Sequence, residues 1–204
     1  MIVFFKKYRF LLTFVAGIFY GCTNGKQDKT PRKPEEVPLV YKLVSDPDFH
    51  YNQDTIYYKS TKFSGIQYAL YPNMDTIFVK PFLNGLAEGV QKQWYSNKIL
   101  AEERLYVTNK KEGVHKGWWE NGNPKFCYHF FDDEYDGEVM EWYFGGQLFK
   151  KFHYAMGYEE GSERLWYEDG SVRANYVIKK GRKYGLIGIK ICRNPYEKTT
   201  NKKQ

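Results

Sequence analysis

Large apolar side chains follow two superposed rhythms along this chain. Within short segments they alternate with polar residues, and the whole pattern returns every 24 residues. The clearest segments are GVHKGWW, GEVMEWYF and GSERLWYE. Each is followed, after a turn, by an aromatic return segment: PKFCYHFF, LFKKFHY and VRANYVI. Alternation among Tyr, Phe and Val predicts β-strands with one apolar face, and each pair of segments predicts a β-hairpin. Gly65, Gly89, Gly113, Gly137, Gly161 and Gly185 open the successive units. Five residues on stand Leu70, Trp94, Trp118, Trp142, Trp166 and Lys190, followed by Tyr71, Tyr95, Trp119, Tyr143, Tyr167 and Ile191. A fixed period of roughly 20–50 residues is the mark of a repeat array.

Finer expectations follow from the same register. The return segments carry two columns: Arg104, Tyr128, Phe152, Tyr176, and Phe82, Tyr106, Phe130, Tyr154, Ile178. Stacked hairpins place equivalent residues on every second strand, roughly 10 Å apart, so these columns predict aromatic rows across a sheet. Asn121-Gly122, Gly145-Gly146 and Asp169-Gly170 predict two-residue type I′ turns inside the units. Asn73-Met74 and Asn97-Lys98 keep half of that signal. Each opening Gly predicts a bulge or a positive φ between hairpins, and Pro81 inside DTIFVKPFLNG predicts a bulge or an edge.

The pattern G-x-x-x-x-W-[YW]-x-[NGD]-G with an aromatic return strand, from Tyr57 to Ile191, resembles the MORN-repeat variant family of bacteria. The copies at Gly113, Gly137 and Gly161 match best. The Gly89 copy lacks the turn glycine, the Gly65 copy has Leu70 for Trp, and the Gly185 copy has neither aromatic, as end caps of an array do. The resemblance implies an all-β fold, an elongated single-layer antiparallel meander of 24-residue hairpins. It also implies kinship with lipoproteins, some of them labelled the antitoxin component of a toxin–antitoxin system.

Residues 1–21 read as a signal peptide: Lys6, Lys7 and Arg9 precede an apolar run from Phe10 to Tyr20 that is too short to span a bilayer as a helix. Gly21-Cys22 then resembles a lipobox, implying lipidation at Cys22; an uncleaved anchor or a plain secretory signal are the alternatives. Thr23, in place of Asp after the lipidated Cys, favours the outer membrane by analogy with lipoprotein sorting. Residues 22–38, with three prolines, mixed charge and no aromatic, are expected to be a flexible tether. Residues 39–64 read as a lead-in cap, 65–192 as the repeats and 193–204 as a basic tail.

Charge and chemistry narrow the function. The formal charge is +7, but residues 179–204 alone hold nine Lys/Arg against one Glu, so the basic balance belongs to the chain ends. An exported protein seldom meets nucleic acid, and none is expected as partner. Cys127 and Cys192 sit at non-equivalent repeat positions and are expected to be free thiols. His129 and His153 recur two strands apart without a third ligand, so no metal and no cofactor is expected. Glu88, Glu112, Asp136 and Glu160 each precede an opening Gly. They read either as a rail for a basic partner or as solvated edge acids that discourage edge pairing. No nucleophile elbow or phosphate loop occurs, which argues against an enzyme. The candidate binding residues are the aromatic pairs Trp94–Tyr95, Trp118–Trp119, Trp142–Tyr143 and Trp166–Tyr167, whose plainer use is mutual packing. The expected function is a membrane-anchored, non-enzymatic scaffold of the cell envelope that binds a protein or a glycan. An antitoxin or immunity partner is the alternative, and an envelope hydrolase the weakest reading.

Overall fold

The computed structural model describes residues 29–188; the leader, Cys22, Cys192 and the basic tail lie outside them. The strands are β1 (Tyr41–Leu43), β2 (Phe49–Asn52), β3 (Thr55–Tyr58), β4 (Thr61–Lys62), β5 (Gly65–Leu70), β6 (Thr76–Leu83), β7 (Leu86–Ala87), β8 (Gly89–Trp94) and β9 (Leu100–Val107). They continue as β10 (Lys110–Trp118), β11 (Pro124–Phe131), β12 (Glu134–Trp142), β13 (Leu148–Ala155), β14 (Tyr158–Glu159), β15 (Gly161–Trp166), β16 (Val172–Lys179) and β17 (Arg182–Leu186). Fourteen form one sheet, an antiparallel meander from β5 to β17 with β1 added in parallel on its first edge. The other three, β2–β3–β4, make a small separate sheet. The chain is all-β, and its strands are paired with sequence neighbours as the 24-residue rhythm requires.

One broad face carries the core. Val139, Phe152, Ala174 and Tyr176 are buried there, with Tyr128, Tyr135, Tyr154, Leu165 and Ile178 packed against them. Each opening glycine pairs across the ladder with the apolar column of the return strand: Gly65 with Phe82, Gly89 with Tyr106, Gly113 with Phe130, Gly137 with Tyr154, Gly161 with Ile178. All six opening glycines have positive φ, from 61° at Gly113 to 154° at Gly65. Pro81 lies where the ladder breaks between β7 and β8, its carbonyl accepting the Glu88 N–H, so its missing donor costs no ladder bond there.

The turns differ from expectation in a revealing way. Inside a unit, Trp119 N–H donates to Asn123 O and Gly122 N–H to Trp119 O, a three-residue loop in which Gly122 (φ 85°) has positive φ and Asn121 does not. The Asn121 side chain accepts the Asn123 N–H and holds this geometry, a type I turn followed by a left-handed residue. Asn73, Asn97 and Asp169 do the same in their units. The two-residue type I′ turns stand at the opposite end, between units. There both central residues are left-handed: Asn84-Gly85, Thr108-Asn109, Asp132-Asp133, Met156-Gly157 and Lys180-Gly181.

Candidate binding surfaces

The second aromatic of each unit fastens that unit to the next. Tyr71 Oη donates to Trp94 O, Tyr95 Oη to Trp118 O, Trp119 Nε1 to Trp142 O and Tyr143 Oη to Trp166 O, at 2.9–3.2 Å. A parallel line of bonds runs from Asn97 Nδ2 to Glu120 O and from Asn121 Nδ2 to Phe144 O. The repeat period thus appears as a staple: a side chain in one unit satisfies a backbone carbonyl one unit on. Trp94, Trp118, Trp142 and Trp166 are half-buried, while Tyr167 is exposed at the far end. Removing one staple tests its contribution. Tyr143→Phe is expected to cost about 1 kcal/mol, read as a lower melting temperature with an unchanged fold. An unchanged melting temperature would mean that the bond is exchanged for water at no loss.

The core face offers a different chemistry. Phe126 and Tyr128 stack at 4.6 Å, and ring contacts run on through Phe130, Tyr135 and Tyr154. Arg104 lies over Phe126 and is paired with Glu102, and Lys150 lies over Phe152 and is paired with Glu141. Burial raises the hydroxyl pKa of Tyr128 and Tyr154 above the ordinary phenol value. Two titratable groups sit beneath this face at the same repeat position, two residues after the opening glycine. His115 donates from Nε2 to Leu105 O at 2.8 Å, leaving Nδ1 bare, and burial pulls its pKa down to about 4. Glu163 is closed off from solvent, and burial pushes its carboxyl up to about 7.

The acids before the opening glycines are not solvated. Glu88, Glu112 and Asp136 are at most 3% exposed, whereas Glu160 is exposed. Each buried carboxylate accepts the N–H of the first left-handed residue of the next inter-unit turn: Thr108 on Glu88 at 2.7 Å, Asp132 on Glu112 at 3.1 Å, Met156 on Asp136 at 3.2 Å. Ser64 does the same for Asn84 in the first unit. This is why non-glycine residues tolerate φ > 0 in those turns: a carboxylate from the preceding unit satisfies the amide that the turn exposes. The edge-acid reading fails for these three because they are buried and hold turn amides, and Glu88 and Glu112 are in addition bonded by the chain segment that precedes β1. That segment, expected as a tether, makes sheet contacts from Lys29 to Val40.

The units opening at Gly89, Gly113 and Gly137 therefore each contain an opening glycine, a preceding acid, a stapling aromatic and a left-handed turn. The MORN repeat variant model matches residues 87–108 and 111–132. Two central units are thus similar to MORN repeats. Both matches begin two residues before an opening glycine and end on the first residue of an inter-unit turn. A comparison of the chain with curated proteins returns no match. Among the described residues no group of three His, Cys, Asp or Glu is placed to hold a metal ion. Cys127 is buried and disulfide-bonded, against the expectation of a free thiol; its partner sulfur lies outside the described residues. Spacing along the chain carried no trace of that bond, because fold geometry rather than repeat position decides which sulfurs meet.

Proposed function

We propose that this chain, with its MORN-like repeats, is a non-catalytic binding scaffold of the bacterial cell envelope, lipid-anchored at Cys22. It presents the core face to an envelope protein or a glycan. The observation that supports this reading is the continuous, partly exposed ring row from Tyr128 to Tyr154, flanked by the Glu102–Arg104 and Glu141–Lys150 pairs. Rings locked by packing, with charges beside them, offer a rigid surface at low entropic cost, which suits a sugar ring or a protein anchor. Neutralising a toxic partner by occlusion is the alternative use of the same surface.

The test uses the mature chain carrying Cys22→Ser as bait on detergent-solubilised envelope and on cell-wall polysaccharide. Arg104→Ser/Lys150→Ser alters the core face, and Phe144→Ser/Tyr167→Ser alters the exposed aromatic edge. One stoichiometric protein partner, lost with the first pair of changes and kept with the second, is the expected result. Retention on polysaccharide makes the ligand a glycan, and loss with the second pair moves the site to the edge. Retention on neither material removes the binding reading. Anchoring is checked separately, by whether Cys22→Ser releases the full chain from membranes.

A further inference from the structure

The segment before β1 lies along the buried acids with a period of its own. Pro31, Pro34 and Val37 are half-buried while the residues between them are exposed, a spacing of three. A polyproline II helix turns once every three residues and advances about 9.3 Å per turn. Two strands of the sheet advance about 9.5 Å, so one turn of such a helix matches one hairpin unit. The contacts keep that pace. Glu35 N–H donates to Glu88 Oε1 at 2.8 Å, and three residues earlier Arg32 N–H reaches Glu112 Oε2 at 3.4 Å. The Arg32 guanidinium closes on Glu112 Oε1 at 2.6 Å and on Asp132 Oδ1 at 3.0 Å. The Pro31 ring lies over Gly113, 3.6 Å from where a Cβ would stand.

Both carboxylates thus serve two tasks, holding a turn amide and meeting the segment: Glu88 divides them between its two oxygens, while Glu112 Oε1 takes the Asp132 N–H and the Arg32 guanidinium together. At Asp136 the pattern is incomplete. Oδ1 takes the Met156 N–H, while Oδ2 is buried without a partner. The next amide in the three-residue series belongs to Lys29, whose ammonium reaches Met156 Sδ and the Phe131 ring. Asp is one methylene shorter than the Glu at the other two rungs, and no Lys29 N–H bond reaches it.

We propose that the row Glu88–Glu112–Asp136 is a binding track for an extended, proline-rich peptide with an arginine directly after a proline, and that residues 29–38 are its resident occupant. A partner segment of the same chemistry takes the track by displacing the resident one. Arg32 is 40% exposed and the segment is held through two rungs of three, so few polar contacts break when it is displaced. The resident copy keeps the buried carboxylates partnered when no ligand is present, since a buried charge left unpaired is costly. This track is independent of the anchor and of whatever the core face binds.

The experiment measures fluorescence anisotropy of a labelled peptide with the sequence of residues 29–40 against the mature chain. Arg32→Ser in the protein weakens the resident occupant and is expected to tighten peptide binding about tenfold. Adding Glu112→Gln in that background is expected to abolish it, while its remaining amide oxygen still accepts the Asp132 N–H and keeps the turn. A peptide with alanine in place of its prolines is expected to bind about tenfold more weakly. Equal binding by both peptides, binding that survives Glu112→Gln, or no tightening with Arg32→Ser overturns the proposal. Asp136→Glu supplies a second reading that needs no peptide: hydrogen exchange at the Lys29 amide is expected to slow about tenfold, and unchanged exchange refutes the three-rung spacing.

Discussion

Replacing Gly85 by Ala is expected to undock the small N-terminal sheet and to destabilise the chain by about 2–4 kcal/mol. Gly85 closes the first inter-unit turn at φ 80°, and it also joins the two sheets, beside the Tyr51–Gln67 and Lys42–Tyr58 bonds. Its carbonyl accepts the Ile56 N–H at 2.8 Å and its own N–H donates to Phe63 O at 2.7 Å. A Cβ there would stand 2.5 Å from Thr55 Cγ2 and 2.8 Å from Ile56 O. Backbone oxygen cannot turn aside as a side chain can, so the small sheet must move. With it would move Ile56 and Phe63, both buried, and the contact of Phe63 with the Phe82 ring. Gly170→Ala is the control: φ is 81°, but nothing lies within 4 Å, so it carries only the left-handed strain of about 1 kcal/mol. The check is thermal melting of both variants together with amide exchange at Ile56. If Gly85→Ala melts no lower than Gly170→Ala, the docking through Gly85 is not a significant source of stability.

What the sequence disclosed and what it hid follow one line. Features that repeat within a unit were legible: the strands, the opening glycines, the return-strand column that faces them. Features that depend on a partner one unit away were not. The dipeptides Asn121-Gly122 and Asp169-Gly170 suggested type I′ turns on local preference, yet an Asx side-chain bond selects the longer loop there. Thr108-Asn109 and Asp132-Asp133 are the type I′ turns, and their support is a carboxylate twenty residues earlier. An acid held at one repeat position, directly before the opening glycine, is the available signal that these acids are structural. Likewise the sequence offers Tyr95, Trp119 and Tyr143 as packing or binding rings, and does not disclose that their polar ends reach carbonyls of the next unit. For residues 29–38 composition pointed to a free tether, and the three-residue spacing of Pro31, Pro34 and Val37 was the sign that it has one face to bury.

The second large effect concerns pH, and it is visible only when one of two opposing groups is removed. The position two residues after the opening glycine holds Gln67, Gln91, His115, Val139 and Glu163 in successive units. His115 is neutral in the fold, its pKa lowered from 6.5 to about 4 by burial. Its share of stability is therefore present above pH 6.5 and is lost as pH falls toward 4, where the unfolded chain binds the extra proton. Glu163 is raised from 4.5 to about 7, again by burial. Its share is present below pH 4.5 and is lost as pH rises through 7, where the unfolded chain releases a proton that the fold retains. Between pH 4.5 and 6.5 the two slopes oppose each other, and the native chain is expected to show nearly flat stability there. Gln, already present at Gln67 and Gln91, is the substitution that keeps the shape of the unit. Glu163→Gln should leave a chain whose stability rises by about 2–3 kcal/mol from pH 4 to 6.5, and His115→Gln one whose stability falls by a similar amount from pH 4.5 to 7. Urea unfolding across that range measures both. Parallel curves for the two variants would show that these groups do not govern the pH response, whereas curves of opposite slope would show that the buried His115 and Glu163 drive it in opposite directions.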